Sequence, residues 1–144
     1  MAYNRNDTGR WAWVKSVGSA DDPLKEDWLD ERNHLLDVVW FPKHPRSLRE
    51  GDLLVYYAAG QGVFPAVVEL TSDEVLEDRN ASRNGDRWPW RMTVKPRLVI
   101  PKLSESPRLD DMSLDSLRLR RQSHIRLEPE EWDEFRLAFL PLSE

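Results

Sequence analysis

Apolar and polar residues alternate with a period of two from Arg10 to Val17, the pattern of a β-strand, and Gly18 and Ser19 end it. Asp22-Pro23 then has the form of a helix start, with aspartate as N-cap and proline at the first helical position. Leu24 and Trp28 follow four apart, on one face of that expected helix. Leu35 to Trp40 is a second apolar run, stopped by Pro42 and Pro45. A turn over Ser47 to Asp52 leads into a strong strand, Leu53 to Ala58. Ala59-Gly-Gln-Gly62 is a hairpin connection, and Val63 to Leu70 returns as the partner strand. Pro65 inside that strand requires a bulge or an edge position, because proline donates no ladder hydrogen bond.

Residues 71–87 are polar and form the longest irregular stretch, a length at which loops are often functional. Trp88 to Lys95 is another strand, followed by Leu98 to Ile100. Leu103, Leu109, Met112, Leu114, Leu117 and Leu119 predict short helical turns lying on the body. His124 to Leu127 is a short strand, and Pro129 begins a helix. Trp132, Phe135 and Phe139 on that helix stand at i, i+3 and i+7, a stripe facing a core. About five or six strands joined largely by hairpins, with helices at the ends, predict an α+β fold. The specific expectation is a small mixed β-barrel with flanking helices, rather than a doubly wound sheet.

Length agrees with one domain over residues 1–144, with 1–9 expected to be a flexible N-terminal tail. The absence of cysteine excludes disulfides, thiolate metal sites and thiol nucleophiles. No apolar run reaches the 18 residues of a membrane span, and the N-terminal residues lack the apolar core of a signal peptide. The expected location is therefore cytoplasmic, with no membrane partner. His34, His44 and His124 are scattered, so no metal site is expected. Neither a Gly-x-Ser-x-Gly elbow nor a phosphate-binding glycine loop is present. The expectation is a non-enzyme that needs no cofactor and acts as a monomer.

Charge changes the picture. The net of −5, from 21 basic and 26 acidic residues, argues against nucleic acid as a partner. Residues 79–126, however, hold 12 basic and five acidic residues, a balance of +7. The remainder holds 9 basic and 21 acidic, or −12, which restores the total of −5. Arginine outnumbers lysine 16 to 5, and arginine suits bidentate phosphate contact and stacking on planar groups. These arginines either pair with carboxylates elsewhere or form a basic surface.

Seven tryptophans need more explanation than core filling. Trp132 and Trp28 belong to the core by pattern, and Trp11 with Trp13 share one strand face that points inward if it is the barrel interior. Trp40 and Trp88 flank loops, where binding residues concentrate. Trp90 shares a strand face with Trp88 and is expected to be buried.

The order of several motifs resembles a known family. These are Trp11-Ala-Trp-Val-Lys-Ser16, then Gly51-Asp-Leu-Leu-Val-Tyr-Tyr57 with Val67 to Leu70, then Trp88-Pro-Trp-Arg91. Arg121-Gln-Ser-His-Ile-Arg-Leu127 and Glu130-Glu-Trp-Asp-Glu-Phe135 complete the series. The series is similar to the EVE domain of the PUA-like superfamily, and more distantly to the YTH domain, over roughly residues 11–140. The resemblance implies a PUA-like barrel with no reaction of its own. It implies nucleic-acid binding with a modified base taken into a pocket: methylated adenine in an aromatic cage for YTH relatives, methylated or hydroxymethylated cytosine for EVE relatives. On matching positions it places Lys15 and Ser16 at the pocket rim, Trp40 as one wall and Trp88 or Trp90 as a second. Arg121, Gln122 and Ser123 match the late family motif. Phe64-Pro65-Ala66 departs from the small glycine-containing stretch of relatives, which bears on the shape of one pocket edge.

Those residue types suit the task. A base needs aromatic faces for its π-system and fixed donors and acceptors for its edge, and Ser16 and Gln122 can supply either. Stacking a base on an aromatic ring contributes roughly 1–3 kcal/mol, while unstacking it from a duplex costs a few. Aromatic walls alone therefore do not drive extrusion, and Arg79, Arg83 and Arg87 in the polar stretch are expected to add phosphate contacts. Two other classes compete. An ASCH-like hydrolase of small modified nucleosides would use Glu69 and Lys15 as its acid–base groups, and a protein-interaction module would use the acidic surface.

Overall fold

The computed structural model describes residues 10–18, 22–77, 89–115, 118–119 and 124–139. Seven strands order as one mixed sheet: β1 (Ala12–Val17), β2 (Val38–Phe41), β3 (Leu53–Ala58), β4 (Val63–Leu70), β5 (Leu76–Glu77), β6 (Trp90–Val99) and β7 (His124–Arg126). The spatial order is β2-β6-β4-β3-β1-β7, and β5 adds to the free stretch of β6. Every pair is antiparallel except β1–β3. The sheet curls into a half-barrel until its two outermost strands meet: the rings of Phe41 on β2 and His124 on β7 are 5.2 Å apart. Among the described residues the sheet is accompanied by α1 (Leu29–Arg32) and α2 (Pro129–Phe139), with residues 118–119 also helical and 3-10 turns at Asn33–Leu36, Leu103–Glu105 and Leu109–Asp111. None of the described helices is long and apolar enough to cross a membrane.

Period-two alternation divides the strands between two cores. The concave face gathers Trp13, Val17, Val39, Phe41, Leu54, Tyr56, Ala66, Val68, Met92 and Val94 beneath Leu24, Trp28 and Leu35. The convex face presents Ala12, Val14, Val55, Val67 and Ile125 to Trp132, Phe135 and Phe139 of α2. The helical stripe predicted from spacing is thus the lid of the second core.

Pro65 produces the expected bulge. Tyr56 pairs with Ala66 and Ala58 with Val63, so β4 carries one residue more than β3 at this point. The extra residue puts Phe64 in the convex core and Ala66 in the concave one. Pro65 still accepts from Ile100 N through its carbonyl, at 2.8 Å.

Three expectations need correction. Asp22-Pro23 does not start a helix. The segment to Lys25 is irregular, Glu26–Trp28 is a turn, and α1 begins at Leu29. The Glu26 carbonyl accepts from Leu103 N at 3.2 Å and its carboxylate from Ser104 N at 2.9 Å, so tertiary partners take groups a helical turn would use. Leu24 and Trp28 are buried all the same. The run from Leu35 is a strand only from Val38, because residues 33–36 form a 3-10 turn. Finally, the two strands expected between Trp88 and Ile100 are one, β6, whose ladder with β4 is irregular between Val67 and Val68. The expected tail, residues 1–9, lies outside the described residues.

Gly51 enters β3 with φ +90°, a conformation in which side chains are strained. A Cβ there would stand 2.7 Å from Arg10 Nε. Arg10 is exposed and can move away, so the backbone term decides. Gly51→Ala should lower the unfolding free energy by about 1–2 kcal/mol, read by urea titration.

Candidate functional site

The concave core contains a lysine where strand logic places an apolar side chain. Lys15 continues the inward face of Trp11 and Trp13, and its register partner on β7 is His124. Trp13 and His124 rings are 5.5 Å apart, and Lys15 Nζ lies 5.1 Å from the Phe41 ring centroid. Lys15 is buried, and its ammonium donates to the Ser16 carbonyl at 2.5 Å. Burial lowers the Lys15 pKa to about 7. Burial, and secondarily the charge of Lys15, lowers that of His124 to about 4. His124 is therefore a neutral imidazole at pH 7, with one ring nitrogen donating and the other accepting.

Asp52 fixes the tryptophan end of this cluster. Its buried carboxylate accepts from Trp11 N at 2.9 Å, Trp13 Nε1 at 3.2 Å and Arg49 N at 3.1 Å. Both tryptophans are thereby tied to the turn that opens β3. Beside them an open, largely polar cleft of about 380 Å³ is bordered by Trp11, Trp13, Ser47, Arg118, Arg126 and Glu128. The Arg126 guanidinium lies 4.3 Å from the centroid of the Trp11 ring. Arg118 is held by Glu131 at 2.8 Å and donates to the Arg126 carbonyl at 3.1 Å. The cleft thus offers an aromatic face with a planar cation beside it.

The expected pocket residues do not share one opening. Lys15 is inside the half-barrel rather than at a rim, and Ser16, its neighbour in the strand, faces the other way, towards the convex side. Trp40 likewise alternates with Val39 and Phe41 and points outward, where the Arg91 guanidinium lies 5.9 Å from its ring. Trp90 pairs with Phe41 and packs against the concave core, its ring 4.9 Å from His44. Trp88, Arg121, Gln122, Ser123, Arg79, Arg83 and Arg87 lie outside the described residues. Asp52, His124 and Arg126 were missed as site residues. The Trp-x-Trp-x-Lys alternation shows which face matters, but only the pairing of β1 with β7 shows that His124 and Arg126 join it.

The hydrolase reading loses its pair. Glu69 lies on the convex face of β4, held by Arg97 at 3.3 Å and Lys95 at 3.7 Å, with the sheet between it and Lys15. Among the described residues no group of three histidine or carboxylate side chains could hold a metal.

The fold and site define a small α+β domain with a curled mixed sheet and a polar cluster in its concave core. No family model matches the chain, and no curated protein matches it. Solved structures do. A hypothetical protein from Leishmania major is similar at 16% identity and TM-score 0.55, over 93% of this chain and 97% of that one. A protein from Pseudomonas putida, known by its crystal structure, is similar at 15% identity and TM-score 0.51, over 88% and 98%. At such identities the likeness concerns the fold.

Proposed function

We propose that the protein is a nucleic-acid-binding module that holds one base, modified by a small group such as methyl, at the cleft between β1 and β7. The reading takes the half-barrel as PUA-like, as the motif order implies. The observation that carries it is the Trp11–Arg126 pair, a ring and a guanidinium 4.3 Å apart, on the border of a cleft of about 380 Å³. A base stacks on such a ring whatever its identity, and the arginine can follow it or the adjoining phosphate. Trp13 backs the cleft, and Ser47 and Glu128 on its border are suited to reading a polar base edge.

Fluorescence anisotropy with short DNA and RNA oligonucleotides at low salt tests this, each carrying cytosine, 5-methylcytosine, 5-hydroxymethylcytosine, adenine or N6-methyladenine. Binding is expected, with a preference of roughly fourfold for the fitting methylated base, the equivalent of one buried methyl at about 0.8 kcal/mol. Trp11→Ala should weaken binding by about tenfold, within the range of one lost stack. Absence of binding to every oligonucleotide, or unchanged affinity in both Trp11→Ala and Arg126→Ala, would overturn the proposal.

A further inference from the structure

The last helix closes the convex core with one face and carries an exposed leucine on another. Trp132, Phe135 and Phe139 of α2 point into that core. Glu134, Leu137 and Ala138 stand at i, i+3 and i+4 and share a second face. Among the described residues one large apolar side chain is exposed, and it is Leu137, at 71%. A lone exposed leucine is ordinary on a protein surface. This one has a groove beside it. Its neighbours Glu134 and Ala138 line a cavity of about 310 Å³ between α2 and residues 105–112.

The groove is apolar and acidic at once. Pro107, Met112 and Ala138, all half-buried, give the apolar lining, and Glu105, Asp111 and Glu134 give carboxylates. Among the described residues no cation lines it. Arg108, the basic residue between Glu105 and Asp111, pairs instead with Asp110 at 3.5 Å. Glu105 and Asp111 are exposed and have no ion pair among the described residues. Glu134 has a different task. One of its oxygens accepts from Ser113 N at 2.5 Å and the other from Ser113 Oγ at 2.9 Å. This clamp ties the chain beside Met112 to α2, so both walls are set before anything binds, which lowers the cost of binding. Met112 adds a flexible, polarisable surface that adapts to an apolar guest.

Chemistry narrows the guest. The carboxylates create a negative field that repels phosphate and anionic lipid and attracts cations. They are not grouped as a metal site, since among the described residues no three histidine or carboxylate side chains could hold an ion. The apolar lining and Leu137 favour an apolar group that a bare cation lacks. The volume is near the lower end for ligand cavities, room for an anchoring side chain rather than a cofactor. A polypeptide with an apolar anchor between basic residues meets both demands.

We propose that the groove between α2 and residues 105–112 docks a segment of a partner protein in which an apolar anchor is flanked by arginine or lysine. The anchor lies against Pro107, Met112 and Ala138, Leu137 extends the contact, and the flanking cations meet Glu105 and Asp111. The groove shares no lining residue with the β1–β7 cleft, and the proposal does not rest on the nucleic-acid reading.

The test uses fluorescein-labelled nonapeptides, read by anisotropy at 50 and 300 mM salt. One alternates arginine with leucine, one arginine with serine and one glutamate with leucine. Wild type should bind the arginine–leucine peptide about tenfold more tightly than either of the others, and less tightly at high salt. Leu137→Ser, at an exposed position that the fold does not need, should weaken it about tenfold. Glu105→Gln/Asp111→Asn should weaken it about fivefold, as loss of two exposed charge pairs requires. Glu50→Gln/Glu74→Gln makes the same change of charge outside the groove and should bind as wild type does, as should Trp11→Ala. Glu105→Lys/Asp111→Lys should gain affinity for the glutamate–leucine peptide, a gain that a misfolded variant cannot imitate. No binding of the arginine–leucine peptide, or equal binding of the arginine–serine one, would overturn the proposal. Equal weakening by the two charge-matched pairs would also overturn it, as general attraction to an acidic protein. Two other occupants remain as outcomes, and either overturns it. If Leu140→Ser/Leu142→Ser binds the peptide where wild type does not, the groove belongs to residues 140–144. If Leu137→Ser turns a dimer into a monomer in sedimentation equilibrium, it belongs to a second copy of the chain.

Discussion

Asp52→Ala is expected to lower the unfolding free energy by about 3–5 kcal/mol, the largest loss predicted for any single side chain here. The carboxylate is fully buried and accepts from two backbone N–H groups and one indole N–H. Alanine removes the acceptor but none of the donors: the buried indole N–H then carries its full desolvation penalty, and the two part-buried backbone N–H groups carry part of theirs. The loss is not confined to one element. Trp11 N and Trp13 Nε1 belong to the entry and body of β1, and Arg49 N belongs to the turn before β3. The parallel β1–β3 pair has no hairpin to fix its register, so this carboxylate substitutes for one. Asp52→Asn keeps the shape and one carbonyl oxygen, and should lose about half as much. Urea unfolding followed by tryptophan fluorescence measures both. A loss within 1 kcal/mol for Asp52→Ala would show that the turn holds without the carboxylate.

Legibility in the sequence varied with the range of the interaction. Trp132, Phe135 and Phe139 spell out the buried face of α2 because helical contacts are local, and Leu53–Ala58 with Val63–Leu70 spells out a hairpin for the same reason. The pairing of β1 with β7 joins segments more than a hundred residues apart, and nothing local to Trp13 announces Arg126 as its partner. Position within a strand was legible but overridden. Lys15 and Ser16 are adjacent, as are Trp40 and Phe41, so each pair must divide between the two faces. The family resemblance placed Lys15 and Ser16 on one rim, whereas alternation alone places Lys15 with the tryptophans. It also hides Phe41, which the apolar run from Leu35 omits and which the structure puts against His124. The basic character of residues 79–126 was visible as a sum. Its arrangement was not: that Arg91 and Lys95 alternate with Trp90, Met92 and Val94 and stand outward, with Arg97 at the ladder irregularity, came only with the single strand β6 and its pairing.

Lys15→Met is expected to stabilise the protein at pH 7 by a few kcal/mol and to abolish a rise in stability on the alkaline side. Lys15 titrates near 7 in the folded protein against 10.5 ordinarily, because its burial disfavours the ammonium. Below pH 7 both states hold the proton, and the folded state carries the whole penalty of a buried cation. Between pH 7 and about 10 the unfolded chain binds a proton that the folded chain lacks, so wild-type stability rises with pH, by up to about 1.4 kcal/mol per unit. Tyr56 reverses the trend above that window. Its hydroxyl is buried, donates to the Leu35 carbonyl at 2.6 Å and is held well above its ordinary 10.0, so the unfolded chain loses its proton first and stability falls beyond pH 10. His124 acts at the other end. It titrates near 4 when folded against 6.5 ordinarily, so stability climbs as pH rises from 4 to 6.5. Wild type should therefore peak near pH 9–10, and Lys15→Met should be level from about pH 7 to 9 before the same alkaline fall. Methionine keeps the length and apolar body of the side chain, and it gives up the bond to the Ser16 carbonyl, about 1 kcal/mol, together with the approach of the ammonium to the Phe41 ring. In this variant the acid limb should persist, since burial outweighs Lys15 among the causes of the His124 shift. Urea midpoints at half-unit steps from pH 5 to 10.5 decide the matter. Equal wild-type midpoints at pH 7 and pH 9.5, or a Lys15→Met protein less stable than wild type at pH 7, would mean that the buried amine is accommodated by partners strong enough to cancel its desolvation.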